Sequence, residues 1–142
     1  HKVSQSPLGA LDAVGMALWL CGFIIESIAD TQKNVFRSRE ANRDKFITDG
    51  LWAYSRHPNY LGEHLLWTGV CLSGSSTFVG LEFMAWLCLG ITVLLLWKMT
   101  GIPVLEAQGK KKWGGQPEYE HYMNNTNVFF FGTPAPAFSK VE

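Results

Sequence analysis

Three long apolar blocks constrain this chain more than any other feature. The first runs over about 8–28 and carries only Asp12 and Glu26 as charges. About 20 apolar residues in helical form reach across a hydrocarbon core of about 30 Å. The third block, 78–99, contains an uncharged stretch at 85–97; Lys98 ends it, and Gly101 and Pro103 follow as helix breakers. The middle block, 60–72, is apolar but holds Glu63 and His64 near its start. Beside two spans it reads as a third span with a polar entrance. The pattern therefore predicts an all-α, polytopic helical membrane protein. About three transmembrane helices are expected near 8–29, 59–75 and 78–100, within one domain over 1–142. A soluble all-α domain with buried core helices is the competing reading. Trp19, Trp52, Trp67, Trp86 and Trp97 favour the membrane, because several fall near helix ends, where interfacial aromatics collect. A signal peptide fits poorly: no basic segment beyond Lys2 precedes the first block, and Asp30 follows it in place of a small-residue cleavage site.

The charges then orient the spans. Twelve basic and twelve acidic residues give a formal net charge of zero, which removes the clustered basic excess that nucleic-acid binding needs. The segment 31–57 holds Lys33, Arg37, Arg39, Arg43, Lys45 and Arg56, and the tail holds Lys98, Lys110, Lys111, Lys112 and Lys140. The connection 73–77 holds none. Three spans place both basic segments on one side, as the positive-inside rule requires, on the cytoplasmic, stromal or matrix face. Cys21, Cys71 and Cys88 all lie inside the apolar blocks, without CxxC or Cys/His ligand spacing, so neither a disulfide framework nor a metal site is expected. The chain opens with His1 rather than Met, and further sequence upstream is expected.

Chemistry concentrates where the spans end. On a helix continuing from the first block, Glu26, Asp30, Lys33 and Arg37 share one face. They form either a solvated helix end or a grip on a polar ligand; an acid inside a span is expensive, and it usually faces a cavity. Further on, Gly50 marks a turn and Pro58 suits the first turn of a helix. Arg56 and His57 would sit just ahead of that helix, where free backbone amides and a positive dipole end make a phosphate or carboxylate cradle. Their alternative role is to anchor lipid headgroups. Asn59, Glu63 and Trp67 fall on one stripe of that helix, with Tyr60 and His64 on the next. After the third span, 101–106 breaks and re-enters helix, 110–115 reads as a basic, glycine-containing turn, and 128–138 reads as an interfacial cap. No GxGxxG, P-loop, HExxH or nucleophile-elbow motif occurs.

Asp30-Thr31-Gln32-Lys33, the run from Gly50 through Ser55-Arg56-His57-Pro58-Asn59-Tyr60-Leu61-Gly62 to Glu63, Gly101–Glu106 and Tyr119-Glu120-His121-Tyr122 together resemble the C-terminal part of the steroid 5α-reductase-like membrane proteins. The likeness is to the branch carrying G-L-W-x-Y-S-R-H-P-N-Y-x-G-E. More distantly, R-H-P-x-Y-x-G is shared with isoprenylcysteine and phospholipid methyltransferases. The resemblance implies a nucleotide cofactor in a cytosolic-facing cavity: NADPH in the reductases, S-adenosylmethionine in the methyltransferases. It carries cofactor contacts onto Asp30, Arg37, Asn59, Tyr60 and Glu63, while Glu26 stands where the steroid enzymes have Asn. With Arg56 and His57 these form the expected cofactor-binding set; the catalytic residues stay unassigned. Spans preceding this region would supply the substrate half. Three functions remain open: an NADPH-dependent reductase of a lipid-like conjugated double bond, a methyltransferase, and a non-catalytic subunit of a larger membrane complex with no cofactor. The expected surroundings are membrane lipid, a lipid-like or sterol-like substrate, or other membrane subunits, in the endoplasmic reticulum or another organelle membrane.

Overall fold

A computed structural model describes residues 8–139; Lys140 and both ends of the domain expected over 1–142 lie outside them. Every regular element among the described residues is helical. In chain order these are α1 (Ala10–Ser38), α2 (Pro58–Ser75), α3 (Met84–Lys98), α4 (Ile102–Trp113) and α5 (Pro117–Asn125), with 3-10 turns at Glu40–Asn42, Gly50–Ala53 and Gly80–Phe83.

Helix α1 opens with the Asp12 carboxylate accepting the Gly9 N–H at 2.8 Å. Its 29 residues make it about 44 Å long, so it runs past the apolar block and carries Asp30–Arg37 on the same rod. Its buried residues are Gly15, Gly22 and Ala29, seven apart on one face. Opposite them stand Gly62 and Gly69 of α2. A Cβ on Gly62 would lie 2.5 Å from the Glu26 nitrogen and 2.7 Å from the Gly22 carbonyl oxygen, and one on Gly69 would lie 2.6 Å from the Trp19 nitrogen. The two backbones therefore touch. Because Gly15 meets Gly69 and Ser73 while Gly22 meets Gly62 and Leu66, the pair is antiparallel. Small residues at a helix interface permit this approach, and the van der Waals contact it brings holds helices together without needing apolar side chains between them.

Pro58 begins α2 as the sequence predicts, with His57 at the cap. Two helical stretches are long and apolar enough to cross a membrane, Ala10–Ser38 and Gly80–Trp113; α2 is not among them. No residue of α3 is buried. The chain breaks between α3 and α4 where the Met99 and Thr100 amides both return to the Leu95 carbonyl, at 2.8 and 2.9 Å. One local expectation is corrected. Lys110, Lys111 and Lys112 form the last turn of α4, not a loop, because ammonium groups suit the carbonyl end of a helix; the turn itself follows at Gly114 and Gly115, the latter with φ of 83°.

A small core forms where α2, α4 and the tail meet: Leu61, Ile102 and Phe129, flanked by Tyr60, Leu65, Trp97 and Val128. After α5 the tail has no helix and runs back along the loop ahead of α2. The Arg56 amide donates to the Asn127 carbonyl (2.8 Å), the Gly132 amide to the Tyr54 carbonyl (3.0 Å), and the buried Ser55 hydroxyl to the Phe129 carbonyl (2.7 Å). The tail is thus a cap and not a further helix.

Candidate functional site

The polar residues gather at one end of the α1–α2 pair. Gly50 sits in the left-handed region (φ 61°), and this turn lets the Leu51 amide reach the Gln32 side-chain oxygen on α1 at 2.9 Å. Trp52 then lies against α1: its indole N–H donates to the Ala29 carbonyl at 3.0 Å, and the Lys33 ammonium stands 4.6 Å over its ring. From α5 the Tyr122 hydroxyl donates to the Trp52 carbonyl at 2.7 Å. Loop, α1 and α5 are therefore tied together, and the two bonds of Trp52 satisfy groups otherwise cut off from water.

These elements and α4 line a half-open cavity of about 480 Å³, within the size range of small-molecule sites. Six cations line it, Lys33, Arg37, Arg43, Lys45, Arg56 and Lys112, together with His57 and a single acid, Glu106. Phe36, Phe46, Trp52, Trp113, Tyr119 and Tyr122 supply aromatic surface. Glu106 Oε1 is 3.3 Å from Arg56 NH1 and 3.2 Å from His57 Nε2. The His57 hydrogen bond, aided by the Arg56 charge and opposed by burial, holds the Glu106 carboxyl below the usual carboxylate range. Burial, then the neighbouring Arg37, lowers the Lys33 ammonium, with Asp30 opposing. Burial raises the Tyr119 and Tyr122 hydroxyls, so both remain protonated donors.

Of the residues singled out in the sequence, Lys33, Arg37, Arg56 and His57 line this cavity. Glu26, Asp30, Tyr60 and Glu63 do not; they lie within electrostatic reach of one another beside the α1–α2 seam. Asn59 opens α2 next to them. The two groups are joined at His57, whose ring stacks on that of Tyr60 at 5.7 Å. Sequence reasoning passed over Trp52, Glu106, Lys112, Tyr119 and Tyr122 as site residues. Tyr119 and Tyr122 had a signal, a three-residue spacing just after Pro117. Glu106 had only its place at the end of the Gly101–Glu106 run, and nothing local pointed to its partner His57, 49 positions away. Among the described residues no group of three His, Cys, Asp or Glu could hold a metal, and Cys21, Cys71 and Cys88 are unpaired.

With this geometry in place, comparison with known proteins is informative. A family model described as "Protein of unknown function (DUF1295)" matches residues 1–126. The chain belongs to this family. It is 24% identical over 123 residues to a probable O-methyltransferase of Ustilaginoidea virens, which covers 85% of this chain and 40% of that protein. It is 34% identical over 94 residues to a probable 7-dehydrocholesterol reductase of Acanthamoeba polyphaga mimivirus, covering 54% of this chain and 20% of the viral protein. Over 82 residues it is 34% identical to a Delta(14)-sterol reductase of Saccharomyces cerevisiae, covering 51% and 19%. The chain thus spans 40% or less of these relatives. No solved structure matches it.

Proposed function

We propose that this chain is the cofactor half of a membrane-embedded, NADPH-dependent reductase, of the steroid 5α-reductase-like kind, acting on a conjugated carbon–carbon double bond in a lipid-like or sterol-like substrate. The observation that carries the reading is the charge of the cavity lining: six cations, of which Lys112 is paired with the exposed Asp44 at 3.6 Å, against one acid, Glu106. NADPH brings several phosphate charges, which such a wall attracts. S-adenosylmethionine brings a sulfonium cation, which it repels. Similarity to two sterol reductases points the same way.

The residues fit the cofactor. Arg37 and Arg56 offer forked donors that match phosphate oxygens, and Arg56 Nε is buried with no partner of its own. Lys33 and Lys112 add charge from α1 and α4, and His57 adds a ring N–H from the loop. The aromatic walls present ring faces of the kind on which bases stack. Asp30, Asn59 and Glu63, which do not line the cavity itself, are assigned to ribose hydroxyls or an amide, because a carboxylate beside phosphate repels it. When bound, the nicotinamide supplies a hydride, and the protein orients it and excludes water. On this reading α2 is a third span, the ends of 8–29, 59–75 and 78–100 place the cavity on the basic side of an organelle membrane, and lipid covers the exposed apolar helices.

A second reading, methyl transfer, draws on the probable O-methyltransferase, whose match covers 85% of the chain. The test is parallel titration of NADPH and S-adenosylmethionine into the detergent-solubilised full-length protein and its Arg56→Ala and Asn59→Ala variants. NADPH is expected to bind alone, and Arg56→Ala to weaken it by about 1.5–3 kcal/mol, the worth of a charged hydrogen bond. Binding of the methyl donor alone transfers the case to the second reading. If neither binds at millimolar concentration, both enzymatic readings fail and a non-catalytic membrane subunit remains.

A further inference from the structure

An acid in the wall of an anion-attracting cavity weakens anion binding unless it has another task, and Glu106 is the one acid that lines this cavity. Its Oε1 is shared by two donors on the loop ahead of α2, Arg56 NH1 at 3.3 Å and His57 Nε2 at 3.2 Å. The backbones of those two residues are already fixed. The Arg56 amide donates to the Asn127 carbonyl, and the His57 amide donates to the Ser55 hydroxyl oxygen at 3.2 Å. What the backbone leaves undetermined is where the side chains point. The His57 ring is held on one face by Tyr60, and Arg56 has otherwise only the weak acceptor Met123 Sδ at 3.4 Å. Both side chains are nearly inaccessible, 12% and 8% exposed, against 29% for Glu106. A guanidinium and an imidazole N–H so buried side by side lack a strong acceptor unless a carboxylate joins them.

We infer that Glu106 is a positioning residue of the site, holding Arg56 and His57 from α4 in the orientation in which they meet a phosphate group. The inference rests on the functional reading above. The groups facing Glu106 are Arg56 and His57 from the loop and Tyr119 and Tyr122 from α5. Glu106 acts through the two donors and needs no contact with the ligand. The bond also joins α4 to the loop across 49 residues.

The test uses the full-length protein in detergent with Glu106→Gln, which keeps the shape but loses the charge, and Glu106→Asp, which keeps the charge on a shorter arm. NADPH and inorganic pyrophosphate are the ligands, and the ring-nitrogen NMR signals of His57 report its orientation without ligand. Glu106→Gln should bind both ligands about ten-fold more weakly, with Glu106→Asp in between. Its His57 signals should move although the melting temperature hardly does. Equal or tighter binding by Glu106→Gln would mean that Glu106 competes with the ligand, and unmoved His57 signals would mean that it holds nothing; either result overturns the inference alone. If the unmodified protein binds neither ligand, the functional reading falls and the inference falls with it.

Discussion

In the α1–α2 pair, Gly15, Gly22, Gly62 and Gly69 bring two helix backbones into contact; in α3 no residue is buried, and a side chain added at Gly90 would meet nothing within 4 Å. Both regions are apolar helix, so hydrophobicity does not separate them. Spacing does. The small residues of α1 and α2 recur every seven positions on facing sides, whereas α3 has no such seam. Where the surroundings are themselves apolar, burying a leucine gains nothing, and close backbone packing decides which helices pair. Apolar content thus selects the helices, and small residues select their partners.

The sharpest way to break this contrast is to put the same side chain on both regions. Gly22→Leu drives a branched chain into the Gly62 carbonyl and the Leu66 amide and should cost about 3 kcal/mol or more by overpacking. Gly90→Leu should cost nothing and raise stability by up to about 1 kcal/mol, because leucine is the better helix former and meets nothing there. Equilibrium unfolding in detergent reads both, and equal losses would end the distinction between a packed pair and a lone helix. A smaller effect separates the pair from the polar cap. Ser55→Ala removes the donor to the Phe129 carbonyl and the acceptor for the His57 amide, a loss of about 2 kcal/mol for buried groups. Hydrogen exchange should then quicken in 127–132 and 54–57 while α1 and α2 stay protected. Uniform quickening would show cap and pair to be one cooperative unit.

The smallest expected effect concerns pH. Glu106 is held below the usual carboxylate range in the folded protein, so the stability it adds is complete above that range and is lost as pH falls through and beneath it. Since Glu106 is partly exposed, the loss should not exceed about 1 kcal/mol. Melting curves taken from neutral to acid pH should show this decline in the unmodified protein and a shallower one in Glu106→Gln. Identical slopes would remove Glu106 as the source.

The helices were legible because their signals are local: the apolar blocks, Pro58 at a helix start, and the acids and bases at three- and four-residue steps past Glu26. The seam was not. Gly15, Gly22, Gly62 and Gly69 individually weaken a helix, and their meaning appears only when two helices are set side by side. Arg56 and His57 stood out as candidate anion ligands from their place ahead of Pro58, and they do line the cavity. What closes around them was not, because Glu106, Tyr122 and Phe129 come from 49 to 74 residues away from their loop partners. The lysines at 110–112 were misread as a turn because Gly109, Gly114 and Gly115 flank them. Gly109 is in fact buried inside α4, where its missing side chain leaves room for the Tyr119 hydroxyl.

The path of the tail has a consequence for how the molecule comes into being. Chain synthesis delivers α1, the loop and α2 in that order, and the glycine seam can close as soon as α2 exists. The carbonyl that accepts the Ser55 hydroxyl belongs to Phe129, 74 residues later, and the tyrosine that caps Trp52 arrives 70 residues later. During that interval the hairpin is assembled while Ser55, Arg56 and the backbone around them still depend on water for their hydrogen bonds. The nascent chain therefore carries an unfinished loop ahead of α2, whose hydrogen bonds to the tail close only after 127–132 has been translated and laid back across it.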